Sequence, residues 1–257
     1  MNKMDNKTKI ALVTGGSRGL GRDMALRLAE KGLDVIITYH SREKEASEVV
    51  ALIEKAGQKA ASLQLNTADF SGSSLFATQL QDVLKNTFGA THFDYLVNNA
   101  GTGGYGLIAD IGEELFDELY HIHFKSVYFI TQKMLPLLNE GGGIVNVSSG
   151  LTRTTVAGSS AYAAMKGAIE VFTRYLAKEL GVRGIRANTI APGAVLTDFG
   201  GGRLRNDENL QKFISSITPL GRPGVAEDIG SVVAFLCSEE SRWVNGQRIE
   251  VSGGMNV

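Results

Sequence analysis

Tyr162 and Lys166 stand four residues apart in the stretch SAYAAMK, in a chain with seven tyrosines. On a helix that spacing puts both side chains on one face, one turn apart. A phenol has an unperturbed pKa of about 10, too high for ready proton exchange near neutrality. A lysine ammonium beside it stabilises the phenolate and lowers that value. The pair could then hand a proton to an oxygen on which charge is building. The same spacing is common on ordinary helix surfaces, so the pair alone does not settle its own role.

A second stretch offers binding chemistry. In VTGGSRGLGRDMA, residues Gly15, Gly19 and Gly21 lie between a short apolar run and a helical pattern, with Ser17, Arg18 and Leu20 completing the turn. Glycines permit a tight turn and close approach of backbone to a ligand. The helix that follows offers unpaired N–H groups and the positive end of its dipole. Together they suit a dinucleotide pyrophosphate, although the spacing is Gly-x3-Gly-x-Gly and not G-x-G-x-x-G.

The elements that must carry these residues are visible in the periodicity. KIALVTG is a strand, and RDMALRLAEKG is a helix with Met24, Leu26 and Leu28 on its apolar face and Gly32 as its C-cap. DVIITY, KAASLQL and FDYLVNN read as further strands, separated by the helices REKEASEVVALIEKAG and SSLFATQLQDVLKNTFG. A long helix is expected around Leu115 to Leu138, then the strand GIVNVSS, the helix SAYAAMKGAIEVFTRYLAKELG and the strand IRANTIAPG. Alternation of this kind predicts an α/β fold built from βαβ units. Right-handed crossovers make it a Rossmann-type, doubly wound parallel sheet with helices on both faces. Without repeats or linkers, residues 1–257 read as a single domain. The loose stretch TDFGGGRLRNDEN suggests a mobile substrate loop around 197–218.

Composition excludes several classes. Apolar residues make up 43% and charged residues 21%, so the chain can bury a sizeable core. A net charge of −1 gives no basic excess for nucleic acid or an anionic membrane surface. The lone Cys237, in VVAFLCS, cannot form an intrachain disulfide or a cysteine metal cluster, and no metal site is expected. The polar N-terminus MNKMDNKTK and the lack of an apolar run of membrane-spanning length point to a cytoplasmic protein.

In order along the chain, TGGSRGLG, NNAG (Asn98 to Gly101), Ser149 thirteen residues before Tyr162, YAAMK and APGAVLTD (Ala191 to Asp198) resemble the motifs of the short-chain dehydrogenase/reductase family. PLGRPGVAEDI and GQRIEVSGGM resemble the closing part of its 3-oxoacyl-carrier-protein-reductase-like members. The resemblance implies hydride transfer between a nicotinamide and a carbonyl or alcohol. It makes Tyr162 the general acid, Lys166 the group that tunes it and binds the nicotinamide ribose, and Ser149 a second donor to the carbonyl oxygen. Strand alternation points the neighbouring Ser148 away from the cleft. His123, in HIHFK, stands where the family usually has an asparagine that completes a water-mediated proton relay to the lysine. Either the imidazole holds that water or it has structural duties only.

The resemblance also sets expectations for the cofactor. NAD-selective members present an acid at the end of the second strand. Here Tyr39 stands in that place, followed by His40, Ser41 and Arg42, with Arg18 in the glycine loop. Guanidinium and hydroxyl groups suit a 2′-phosphate, so NADPH is expected. Glu43 and Glu45 read as first-turn acids of the second helix. Asn66 and Thr67 should meet the adenine, with Asn99, Ala100 and Gly101 beside the adenosine ribose. Pro192, Gly193, Val195 and Thr197 should meet the nicotinamide amide and phosphates.

The expected activity is NADPH-dependent reduction of a carbonyl, of ketone or 3-oxoacyl thioester type. The alternatives are an NAD-linked alcohol dehydrogenase and a dinucleotide-binding regulator with reduced catalysis. Tyr105, the LTRTT segment after Ser149 and the loop 200–209 should shape the substrate pocket, with Arg153, Arg203 and Arg205 as candidate contacts for an acidic carrier protein. The resemblance implies a homotetramer, for which two long amphipathic helices (around Leu115 to Leu138 and Ser160 to Leu180) and the C-terminal EVSGGMNV offer packing surfaces.

Overall fold

A computed structural model of the chain describes residues 8–69 and 73–255. The N-terminal residues 1–7 and the last two residues of EVSGGMNV, on which expectations were placed above, lie outside these. Among the described residues, seven strands form one parallel sheet in the order β3-β2-β1-β4-β5-β6-β7. The strands are β1 (Ile10–Val13), β2 (Asp34–Tyr39), β3 (Ala60–Gln64), β4 (Phe93–Asn98), β5 (Leu138–Val147), β6 (Arg186–Pro192) and β7 (Arg248–Val251).

The central strands read as continuous apolar runs because helices cover both faces of the sheet. Alternate side chains go to opposite cores. Val13, Ile37, Val97 and Val145 pack with Met24 and Leu28 of α1 (Gly19–Glu30), Val49 and Ile53 of α2 (Glu43–Lys55), and Ile229 and Val233 of α9 (Ala226–Leu236). Their chain neighbours Leu12, Ile36, Leu96 and Ile144 face the other way. They pack with Leu80 of α3 (Ser73–Val83), Ile130 and Met134 of α5 (Ser126–Met134), and Leu176 and Leu180 of α6 (Ser160–Leu180). The doubly wound α/β expectation therefore holds. The strand order reverses between β1 and β4, and the crevice outside their carboxyl ends is where such sheets bind ligands.

Three expectations need correction. The single helix over Leu115 to Leu138 is broken. It runs as α4 (Glu113–Tyr120), a wide π-helical turn (His121–Lys125), α5 and a tight turn (Leu135–Leu137) that contains Pro136. β5 then begins at Leu138, five residues before the expected strand, because proline stops the helix there. The loose stretch after Thr197 is largely helical, with a short turn (Phe199–Gly202), α7 (Arg203–Asn206) and α8 (Glu208–Ser216). Asp207 caps α8 by accepting from the Leu210 N–H at 3.0 Å. Gly200, Gly201 and Gly202 have φ of 60°, 75° and 73°, a left-handed run that glycine adopts without strain. The third is the expectation that the strands end with IRANTIAPG: a further strand, β7, follows, four residues long and with no period of its own to betray it. Among the described residues, no helix is long and apolar enough to cross a membrane.

Candidate active site

The glycine turn between β1 and α1 is shaped by what presses on it. Gly15 has φ 67°, and a Cβ there would lie 2.9 Å from the Ala100 Cα. A Cβ at Gly21 would strike the Gly15 carbonyl and the Asn99 side chain. The turn is braced from β4. Thr14 Oγ1 accepts from the N–H groups of Asn99 and Ala100, each at 3.0 Å. Asn99 Nδ2 donates to the carbonyls of Thr14 at 2.9 Å and Gly15 at 3.1 Å. Arg18 precedes α1 without a side-chain cap among the described residues, and no acid occupies the first turn. The helix N–H groups are thus left for an anion, which fits a dinucleotide phosphate. Thr14 is a brace that the motif reading passed over, although it stands in the quoted TGG.

At the end of β2, Tyr39 is pushed above the usual phenol range by burial and by the nearby Glu43 carboxylate. Arg42 pairs with Glu45 at 3.0 Å, and the Arg18 charge also acts on Glu45. Both arginines therefore act at Glu45, in the first turn of α2. Glu43 and Glu45 occupy the first turn of α2 as expected. The His40 carbonyl accepts from Gln64 Nε2 at 2.9 Å, fixing the backbone before Ser41. Asn66 uses its side-chain oxygen locally, accepting from the Ala68 N–H at 3.0 Å, next to Thr67.

The next loop runs beside the same crevice. The Gly193 N–H donates to the Val251 carbonyl at 3.0 Å, just past Pro192. Val195 bridges to Gly224. Thr197 comes to the glycine turn, where a Cβ on Gly19 would lie 3.7 Å from the Thr197 Cβ. Asp198 lies 3.6 Å from Arg18 and also pairs with Arg205. Arg153 stands 4.0 Å from Glu250.

Tyr162 and Lys166 both lie on α6, as their spacing requires. Ser149 faces Tyr162 and favours its phenolate, and Lys166 Nζ is 5.7 Å from the Tyr162 ring centroid. Ser149 Oγ also accepts from the Leu151 N–H at 3.2 Å, which anchors the oxygen and leaves its proton for the cleft. Ser148 turns away, donating to Glu170 Oε1 at 2.7 Å, so the choice of Ser149 agrees with the geometry.

The electrostatics differ from the simple picture of a lysine-lowered phenol. Burial raises the Tyr162 pKa, Tyr105 adds to the effect, and Ser149 opposes it. Lys166 is buried and donates to the Val147 carbonyl at 2.8 Å. Burial pushes its ammonium down to about 7. Its charge is directed at a backbone carbonyl here and not at the phenol oxygen.

His123 is fully buried in the π-helical turn. Such turns concentrate at functional sites. Nε2 lies 2.7 Å from the Thr102 carbonyl and 3.3 Å from the Thr102 N–H; the shorter contact makes it a donor to the carbonyl, which leaves Nδ1 as a bare acceptor. Nδ1 has no hydrogen-bond partner among the described residues. Burial, and then Lys166, push the imidazole down to about 2, against the Thr102 bond. The ring meets Tyr162 edge-on, with centroids 5.0 Å apart at 88°. A Cβ on Gly101 would lie 2.8 Å from the His123 Cε1.

Above this floor the cleft is aromatic. Phe199 lies 5.8 Å from Tyr162 between ring centroids. A Cβ on Gly200 would lie 3.6 Å from the Tyr105 ring. Tyr105 and Phe199 are 56% and 44% exposed, so both present ring surface to a ligand.

Known proteins are similar to this chain in sequence and in fold. The family model described as enoyl-(acyl carrier protein) reductase matches residues 15–256. A hydroxynaphthalene reductase-like protein of Metarhizium brunneum (strain ARSEF 3297) is 37% identical over 257 residues, covering 96% of this chain and 94% of its own. LugOII, a promiscuous reductase that catalyses keto-reduction at C1 during lugdunomycin biosynthesis, has a TM-score of 0.92 at 37% identity, over 98% of this chain and 100% of that one. The angucycline C-6 ketoreductase LanV, solved with bound NADP, has a TM-score of 0.92 at 36% identity, over 97% of this chain and 96% of that one.

Proposed function

Since the chain belongs to the short-chain dehydrogenase/reductase family, we propose that it is an NADPH-dependent carbonyl reductase acting on a flat aromatic ketone. The observation that carries this reading is the placement of Tyr162 and Ser149 together over the buried Lys166, beside the glycine turn. Two neutral hydroxyls then address one oxygen.

NADPH, when bound, supplies a hydride to the carbonyl carbon. Gly15, Gly19, Gly21 and the first turn of α1 would hold its pyrophosphate, and Arg18 and Arg42 its 2′-phosphate. Tyr162 gives its proton to the carbonyl oxygen as charge builds there. Ser149 donates a second hydrogen bond to the same oxygen and stabilises that charge. Lys166 Nζ stays on the Val147 carbonyl, 5.7 Å from the Tyr162 ring, so its part is in proton supply and not in lowering the phenol's pKa. Because its own pKa lies near 7, Lys166 can return a proton at neutral pH. His123 is neutral, and its role is to hold Thr102 and the edge of Tyr162 in place.

The aromatic cleft supports a planar substrate, and so do relatives named for hydroxynaphthalene and angucycline reduction. An acidic carrier protein is less well served, because Arg205 and Arg153 already face Asp198 and Glu250. An oxidative, NAD-linked role lacks the acid that Tyr39 replaces. The test is NADPH oxidation with a panel of tetralones, polycyclic quinones, aliphatic ketones and 3-oxoacyl thioesters. Turnover of the aromatic ketones ahead of the others is expected, and preferred use of aliphatic ketones or thioesters refutes the substrate class.

The proposal includes a homotetramer. Tyr128, Phe129, Val171 and Tyr175 are exposed on α5 and α6, and Tyr128 stacks on Phe172 at 4.5 Å. An aromatic face of this kind is what a second copy of the chain would cover.

A further inference from the structure

We propose that Glu170 and Arg248 are positioning residues for the reduction, acting through Ser149. The inference rests on the carbonyl-reductase reading above. Ser149 leaves β5 into a short turn (Gly150–Thr152), so its hydroxyl is aimed by the backbone of residues 148–152. That backbone is held from behind by one partly buried cluster.

Glu170 Oε1 accepts from Ser148 Oγ at 2.7 Å, Thr152 Oγ1 at 2.7 Å and Arg248 Nε at 2.6 Å. One carboxylate oxygen thus grips the residue before Ser149 and a residue at the far end of its turn. Thr152 Oγ1 also lies 3.0 Å from the Ser149 carbonyl, but a hydroxyl has one proton. The shorter, charge-assisted bond to Glu170 claims it. The side-chain donor left for the Ser149 carbonyl is Arg248 Nη2, at 3.2 Å, and the same nitrogen gives its second proton to Thr152 Oγ1 at 3.0 Å. Arg248 Nη1 is held by Glu250, which in turn stands against Gly150.

Glu170 lies on α6, one turn beyond Lys166 and two beyond Tyr162. The cluster therefore ties the Ser149 turn to the helix that carries the proton donor, and it fixes the distance between the two hydroxyls. Arg248 and Glu170 side chains are only 10% and 15% exposed. An ion pair so buried adds little net stability, because desolvation offsets the attraction. Its four donors and converging acceptors instead specify a geometry. A point charge at 248 could satisfy Glu170 but not the Ser149 carbonyl and Thr152 together, which require the planar fork of arginine.

The test is a double-mutant cycle on the full-length enzyme with NADPH and an aromatic ketone. Glu170→Gln, Arg248→Met and Arg248→Lys are each made alone and with Ser149→Ala. Rates are read in single turnover with enzyme in excess, so that slow variants are still measured. With Ser149 present, Glu170→Gln and Arg248→Met should lower the rate about tenfold or more while NADPH affinity stays within about twofold. Arg248→Lys should fall between these and the wild type. In the Ser149→Ala background the same changes should cost less than about twofold, because the hydroxyl they position is gone. If Arg248→Met does not fold, Arg248→Lys and Glu170→Gln complete the cycle. Equal fold-losses in both backgrounds, or full activity in Glu170→Gln, overturn the inference. A wild-type enzyme that reduces no ketone overturns the carbonyl-reductase reading, and this inference with it.

Discussion

The His123 imidazole stands edge-on to the Tyr162 phenol, its centroid 5.0 Å away, while its Nε2–H is tied to the Thr102 carbonyl. One side chain thereby joins the loop after β4 to the proposed proton donor on α6. The π-helical turn makes this possible, because a wider turn carries His123 inward to full burial. A relay through a titrating histidine is not what this arrangement offers, since the ring stays neutral until about pH 2. Its bare Nδ1 can still accept one hydrogen bond from a water.

His123→Asn should therefore keep most of the ketone-reductase rate, and both proteins should show the same acid limb between pH 5 and 8. His123→Ala removes the strut and should lower the rate about tenfold or more. The measurement is the pH dependence of kcat and kcat/KM for the three proteins. An acid-side inflection near pH 6 that disappears in His123→Asn contradicts the neutral assignment.

Lys166 makes the fold less stable than it could be. Its pKa falls from 10.5 unfolded to about 7 folded, so the unfolded chain binds a proton that the native one releases. Stability then rises with pH between about 7 and 10.5 and is lowest, for this group, below 7. Lys166→Met should be inactive yet melt higher than wild type at pH 6 to 7. Thermal melts across pH check the sign, because the gap between the two proteins should close toward pH 10. A gap that widens with pH contradicts the assignment.

Arg18 and Arg42 both act on Glu45, and a 2′-phosphate would compete for them. Arg42→Ala should weaken NADPH binding about tenfold while NADH binding changes less than about twofold. Glu45→Gln should tighten NADPH binding by freeing the arginines. Fluorescence titrations with both cofactors decide this, and equal losses for NADPH and NADH in Arg42→Ala would sink the role.

The exposed aromatic face of α5 and α6 should hold the assembly together. Tyr128→Asp with Tyr175→Asp places charge on that face and should convert the tetramer to smaller species, read by light scattering. A wild-type protein that is monomeric at micromolar concentration removes the proposal.

What could be read from the sequence was what is local. The glycine turn and the Tyr162–Lys166 face follow from local spacing, whereas strand alternation lets only one of Ser148 and Ser149 face the cleft and the family spacing to Tyr162 selects Ser149. The π-helical turn did not, because one inserted residue leaves the apolar pattern of α4 and α5 nearly unchanged. β7 is too short to show a period. Thr14 gains its bracing role because β4 lies beside β1, which is a matter of strand order. Glu170 and Arg248 lie 78 residues apart, and no motif spacing joins them. Conversely, the expectation that Lys166 lowers the Tyr162 pKa relied on proximity alone. Burial outweighs it, and the Val147 carbonyl holds the ammonium elsewhere.

The central claim is that Tyr162 protonates the carbonyl oxygen as hydride arrives. Tyr162→Phe keeps the ring that meets His123 and Phe199 and removes only the hydroxyl. The direct test follows NADPH oxidation with an aromatic ketone for wild type and Tyr162→Phe, with NADPH affinity measured on both. Turnover should fall at least about a hundredfold while NADPH affinity stays within about twofold. A Tyr162→Phe enzyme that keeps about a tenth of the wild-type rate contradicts the account.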